Sequence, residues 1–302
     1  MTVDRPLFGI LLMIGFCILA PMGNAIAKLL GEAIPLIQVL IVRFAFQFVL
    51  LGPVVWRANI KINMSWRTFI LTFIRTLLQI AGITATFVTL RFLPLADALA
   101  IAFVMPFIML LLGSLVLGEE VGIHRIVACV VGFMGALLVI QPSFAVVGAP
   151  ALLPLLVAVI FAVFMLVTRQ IAKKIDPIGL QMVSGLFATG SLGVVYFVAA
   201  DSGLVEVNFV VPSYQSGLLL AIFCVIGMFA HLLMAWALRF APSATLAPMQ
   251  YLEIPIATFL GWLIFKDLPN ELAAVGIAIT VGAGLYIVLK EQRKAQTVPA
   301  ER

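Results

Sequence analysis

The chain has 302 residues, 64% of them apolar and only 10% charged, with a mean hydropathy of +1.23. That composition excludes a soluble globular domain, and at roughly 20 residues per crossing the length holds about ten membrane helices and leaves no room for a soluble catalytic module. The formal net charge of +5 does not imply a nucleic-acid partner, because Lys and Arg lie singly or in twos and threes between apolar runs, as in cytoplasmic loops.

In chain order, the first apolar run covers 7–29. Arg5 in front and small residues near Ala25 give it the outline of a secretory signal, but nine further runs favour an uncleaved first helix. The next helices are expected near 34–56, 68–90, 92–117 and 123–141. After a short break come 150–172, 178–200, 215–239, 243–265 and 271–289. All are continuously apolar, whereas a β-barrel needs alternation, so the chain is read as an all-α membrane protein with ten transmembrane helices. Cys17, Cys129 and Cys224 fall inside these runs without Cys-x-x-Cys spacing and are read as small core residues, with no disulfide and no metal.

Of the 18 Lys and Arg residues, 13 fall on one side of these helices and 3 on the other, with Arg43 and Arg75 inside helices. This asymmetry puts both termini in the cytoplasm and requires an even number of crossings.

The chain also repeats at a spacing of about 148 residues. Arg91-Phe92-Leu93-Pro94 returns as Arg239-Phe240-Ala241-Pro242, Gly113 as Gly261 and Glu119 as Asp267, while Pro106 returns one residue late as Pro255. Ala128 and Gly132 have counterparts in Ala278 and Gly282, and together with Gly135 and Gly284 they suit close helix packing. Five helices per half is an odd number, so the second half must enter the membrane inverted. The expected organisation is a first repeat over 1–148, a second over 149–290 and a cytoplasmic tail over 291–302.

Arg-Phe-Leu-Pro-Leu-Ala-Asp-Ala at 91–98 with Gly118-Glu119-Glu120 later, and Arg-Phe-Ala-Pro-Ser-Ala at 239–244 with Phe265-Lys266-Asp267 later, resemble the EamA branch of the drug/metabolite transporter superfamily. The resemblance covers nearly the whole chain and implies a carrier of small metabolites. Tyr251-Leu252-Glu253-Ile254-Pro255 and Gly261-Trp262-Leu263-Ile264-Phe265 resemble the bacterial riboflavin importers. S-adenosylmethionine carriers and amino-acid or metabolite exporters of the same family are the alternatives.

A buried charge in a bilayer costs at least about 2.5–3.5 kcal/mol, so each ionisable group inside a helix asks for a purpose. Glu253 lies roughly 15 Å into the ninth helix, near the midplane, and Arg43 reaches a similar depth from the other side. The two either pair with each other, bind opposite ends of a polar substrate, or hold the bundle together. Asp97, about 8 Å deep, serves either the site or the start of its own helix through the dipole. Arg75 lies close enough to the cytoplasmic side to snorkel. His231 is the only histidine placed within the membrane and is either a proton relay or a packing residue. Gln250, one turn before Glu253, extends a polar stripe along that helix. Tyr251, Trp236, Phe103 and Phe107 are candidates to stack on a flat ring, against the plain alternative of packing. Pro21, Pro94, Pro106, Pro242, Pro248 and Pro255 are expected to bend the first, fourth and ninth helices.

No Gly-x-x-x-x-Gly-Lys-Ser/Thr loop offers ATP hydrolysis, and no His-Glu-x-x-His helix, paired aspartates or activated nucleophile suggests an intramembrane enzyme. A channel would show polar rings or a reentrant filter. The expectation is therefore a cofactor-free, metal-free secondary transporter in the bacterial inner membrane. Its partners would be a small-molecule substrate and the lipid bilayer, with no nucleic acid, and it would act as a monomer or homodimer.

Overall fold

A computed structural model gives the fold, describing residues 5–31, 33–93, 95–102, 104–119, 121–140, 149–199, 209–266 and 271–297. Among the described residues the regular structure is entirely helical. In a medium without water the backbone must satisfy its own polar groups, and continuous apolar runs do this as helices.

The helices are α1 (Pro6–Leu30), α2 (Leu36–Arg57), α3 (Trp66–Phe92), α4 (Leu95–Ala102), α5 (Met105–Leu117), α6 (Ile123–Ile140), α7 (Leu153–Ala172), α8 (Pro177–Ala199), α9 (Tyr214–Phe240), α10 (Ser243–Leu246), α11 (Glu253–Phe265) and α12 (Glu271–Thr297). They form ten rods. The fourth rod is α4 followed by α5, and the ninth is α10, a 3-10 segment over Ala247–Leu252, and α11. The expected bends in these rods are thus outright interruptions. Pro248 and Pro106 stand in the first two positions of the segments that restart, where a missing N–H costs nothing. The tenth helix runs beyond the expected boundary, into the stretch read as tail as far as Thr297, because the helix-forming residues of 290–297 continue it.

Six helices, α1, α2, α3, α7, α8 and α9, are each long and apolar enough to cross a membrane unaided. Met105–Leu117, Ile123–Gly135 and Ala274–Tyr286 are shorter apolar stretches. Large apolar side chains such as Leu11, Val49 and Val194 face outward, which gives the bundle an apolar belt for lipid. Trp56 and Trp66, at the end of α2 and the start of α3, are among the most exposed, as aromatics at a membrane interface are.

The 148-residue register recurs in local geometry. Ser65 caps α3 by accepting a hydrogen bond from the Thr68 N–H, and Ser213 caps α9 from the Ser216 N–H. Both helices end in extended residues ahead of a proline, Leu93 and Ala241. Both α5 and α11 end in a left-handed residue at φ 63°, Gly118 and Lys266. Gly118 meets that requirement without a Cβ penalty; Lys266 does not.

Packing follows the same exchange. α1 lies along α9 and α7 along α3; α11 packs on α1 and α5 on α7; α2 pairs with α8 and α6 with α12. One buried cluster, around Met13, Met109, Phe164 and Met249, draws on both halves of the chain, and so does a second, around Phe44, Phe87, Ala188 and Phe223.

Candidate functional site

A cavity of about 1070 Å³, counted out to its open side, lies where α1, α2, α3, α4, α7, α9 and α11 converge. Its walls are mostly apolar, with the rings of Phe16, Phe87, Phe161 and Phe223 among them. Among the described residues three ionisable ones line it: Arg43 from α2, His231 from α9 and Glu253 at the first position of α11. All three are buried, at 4%, 7% and 6% exposure.

Arg43 is placed by a glycine. A Cβ at Gly227 would stand 2.6 Å from Arg43 Nη2, so only a residue without a side chain lets the guanidinium lie against α9. Its carbon stands 4.7 Å from the centre of the Phe223 ring, a cation–π distance. Nη2 lies 3.2 Å from His231 Nδ1, and that nitrogen lies 2.9 Å from the Gly227 carbonyl oxygen. With its proton on Nδ1 the imidazole donates to Gly227; with the proton on Nε2 it accepts from Arg43. Arg43 Nε and His231 Nε2 have no hydrogen-bond partner among the described residues.

Glu253 makes no hydrogen bond or ion pair among the described residues. It sits in the first turn of α11, where the helix dipole favours a negative charge. Arg43 and Glu253 therefore share a cavity without pairing to each other. A carboxylate, a guanidinium and an imidazole facing one aromatic-walled space can hold a ligand that carries both donors and acceptors.

The remaining predicted residues are placed differently. Gln250 is fully buried one turn before Glu253, its amide nitrogen 3.1 Å from the sulfur of Met109 and 3.3 Å from that of Met165, a cavity residue. Tyr251 is fully buried with its ring against Gly132, and Phe107 packs edge-on against Phe133 at 5.3 Å. Neither they nor Trp236 line the cavity. The side chain of Asp97 lies outside the described residues, although its neighbours Ala98 and Leu99 line the cavity. Phe103 also lies outside them, as do Glu120 and Asp267 of the paired motifs.

The snorkelling expected of Arg75 is corrected. Its side chain is fully buried, with Nε donating to Thr168 Oγ1 at 2.9 Å, Nη1 to Ser184 Oγ at 2.8 Å and Nη2 to Gln181 Oε1 at 2.9 Å. It points sideways into the bundle rather than along α3 to the interface. Asn24, Thr86 and Thr89 line the cavity and were not anticipated. Asn24 carries a readable signal, being a lone amide in an apolar run.

The profile of the EamA-like transporter family matches residues 7–141 and again 149–289. The chain belongs to that family. It is thus a transporter of the drug/metabolite transporter superfamily and a membrane protein. Among its relatives, a riboflavin transporter of Rhizobium johnstonii is 28% identical over 83% of this chain and 80% of its own length. An S-adenosylmethionine uptake transporter of Rickettsia prowazekii is 26% identical over 90% and 89%. A pseudopaline exporter, CntI, of Pseudomonas aeruginosa is 24% identical over 96% of each. A solved crystal structure shares the fold with a TM-score of 0.73 at 18% identity, covering 93% of this chain and 96% of the other.

Proposed function

We propose that this chain is a secondary carrier that moves a small organic metabolite across the bacterial inner membrane by alternating access, with riboflavin uptake as its task. The observation that carries the reading is the cavity itself. Among the described residues, the Glu253 carboxylate accepts no hydrogen bond and the Arg43 guanidinium has an Nε without a partner and no acidic neighbour, and both stand in one aromatic-walled space inside an apolar bundle. Buried charge of that kind is retained for a ligand.

Two inverted repeats, 1–148 and 149–290, would supply the two faces of the cycle. The caps matched at a spacing of 148 residues and the exchanged helix pairings support that arrangement. Interrupted rods beside the cavity, the fourth and the ninth, are the usual construction of such sites. The Lys and Arg asymmetry supports cytoplasmic termini.

In this reading Glu253, Arg43 and His231 touch the cargo, and Phe16, Phe87, Phe161 and Phe223 receive a flat ring. Two relatives named as riboflavin transporters support that cargo. The test is growth of a riboflavin auxotroph at low external vitamin, run beside uptake of labelled S-adenosylmethionine. Rescue with no S-adenosylmethionine uptake is expected. Failure to rescue with good membrane expression rejects riboflavin, and S-adenosylmethionine uptake would replace it.

A further inference from the structure

The cavity occupies one half of the bundle's depth. It is lined by the later halves of α1 and α3, by α4 and by the earlier part of α7, and it ends near Glu253. At the opposite end of the same rods, past the end of α5, stands a carboxylate that the cavity does not use. Glu119 Oε1 accepts hydrogen bonds from Arg169 Nε at 3.2 Å and from the Ser243 N–H at 3.1 Å. Its Oε2 accepts from Ser243 Oγ at 2.5 Å and from the Ala244 N–H at 3.0 Å. Arg169 Nη1 donates onward to the carbonyls of Leu238, at 2.6 Å, and Arg239, at 3.3 Å. The pair is largely buried, with side chains 7% and 10% exposed.

We propose that Glu119, Arg169 and Ser243 form the closed gate of the carrier, a latch that must release before the cavity can open at that end. The inference rests on the carrier reading above. Three observations join in it. The latch ties the end of α5, in the first half of the chain, to the end of α7 and to the α9–α10 junction, both in the second half, so any parting of the halves there breaks it. It lies at the other end of the rods from the residues that line the cavity. Its chemistry is also not duplicated: 148 residues earlier, Ser243 corresponds to Leu95 and Arg169 to Pro21, neither of which can donate from a side chain. The two side-chain donors of the latch therefore have no polar counterpart 148 residues earlier in the sequence. Charge-assisted hydrogen bonds in a site with little water hold strongly, yet they exchange for water once the ends part.

The test reads accessibility rather than transport. Ala20, on the cavity wall, is changed to Cys, with the unaltered chain and its three buried cysteines as the blank. A membrane-impermeant maleimide is applied to right-side-out and to inverted vesicles. Ala20→Cys alone should label from the face opposite Glu119. Adding Glu119→Gln should raise labelling from the Glu119 face about tenfold, as the loss of a charged hydrogen-bond set implies. Ser243→Ala, which removes one bond and keeps the Glu119–Arg169 pair, should move it the same way by less, and it decides the matter if Glu119→Gln does not fold. Unchanged sidedness in folded variants overturns the latch. Switched sidedness in a protein that transports none of the offered cargoes leaves the latch standing and removes the carrier reading.

Discussion

The guanidinium carbon of Arg75 stands 4.8 Å from the centre of the Phe164 ring. The same ring stands 5.9 Å from the imidazole of His231. Phe164 thus separates a cation held behind the cavity from the polar residues on its wall. Arg75 has no acidic partner among the described residues and is held by neutral oxygens of α7 and α8, which identifies it as a support of the site rather than a contact for cargo.

Replacing Arg75 should cost stability first. Arg75→Gln cannot reach Thr168, Ser184 and Gln181 together, and the fully buried groups left behind are expected to cost about 3 kcal/mol. Thermal unfolding in detergent checks this.

Glu253→Gln should do the opposite. It keeps the shape and removes an unpaired buried charge, so unfolding temperature should hold or rise while transport falls at least about tenfold. Uptake and unfolding measured on one preparation distinguish this from a structural role, which would lower both.

Gly227→Ala is expected to act through Arg43. The added methyl would lie 2.6 Å from Nη2, and the flexible arginine, not the backbone of α2, must give way. A raised KM with a nearly unchanged unfolding temperature is the expected result of uptake titrations.

Proteoliposomes with and without a pH gradient test proton coupling. A gradient should accelerate uptake by the unaltered protein and have no effect on Glu253→Gln, since the variant has no carboxyl proton to carry. Equal rates with and without the gradient would remove both Glu253 and His231 from any coupling role.

The polar residues of the site were legible for a simple reason. A charge in an apolar run has a known cost, so Glu253, Arg43 and His231 stood out by type alone. Depth along a helix was legible too, but the direction around it was not. Arg75 was close enough to the surface to snorkel, and nothing in its sequence position told that its side chain turns inward to α7 and α8. Which aromatic residues face the cavity was illegible for the same cause. A helix that is apolar all round offers no contrast between its lipid face and its cavity face. Phe16, Phe87, Phe161 and Phe223 therefore looked no different from Trp236 or Phe107. The ten rods were visible in the runs themselves; the interruptions of the fourth and ninth were visible only as prolines.

The 3-10 segment over Ala247–Leu252 has a mechanical consequence. Wound as it is, with about 2.0 Å of rise per residue, its six residues span about 12 Å; as α-helix they would span about 9 Å. Rewinding would therefore shift Glu253 by about 3 Å along the rod, and the change from about 3.0 to 3.6 residues per turn would rotate it by about 120°. The ninth rod is in this sense a screw thread cut into an otherwise stiff shaft, with the carboxylate of Glu253 at the first turn beyond the thread.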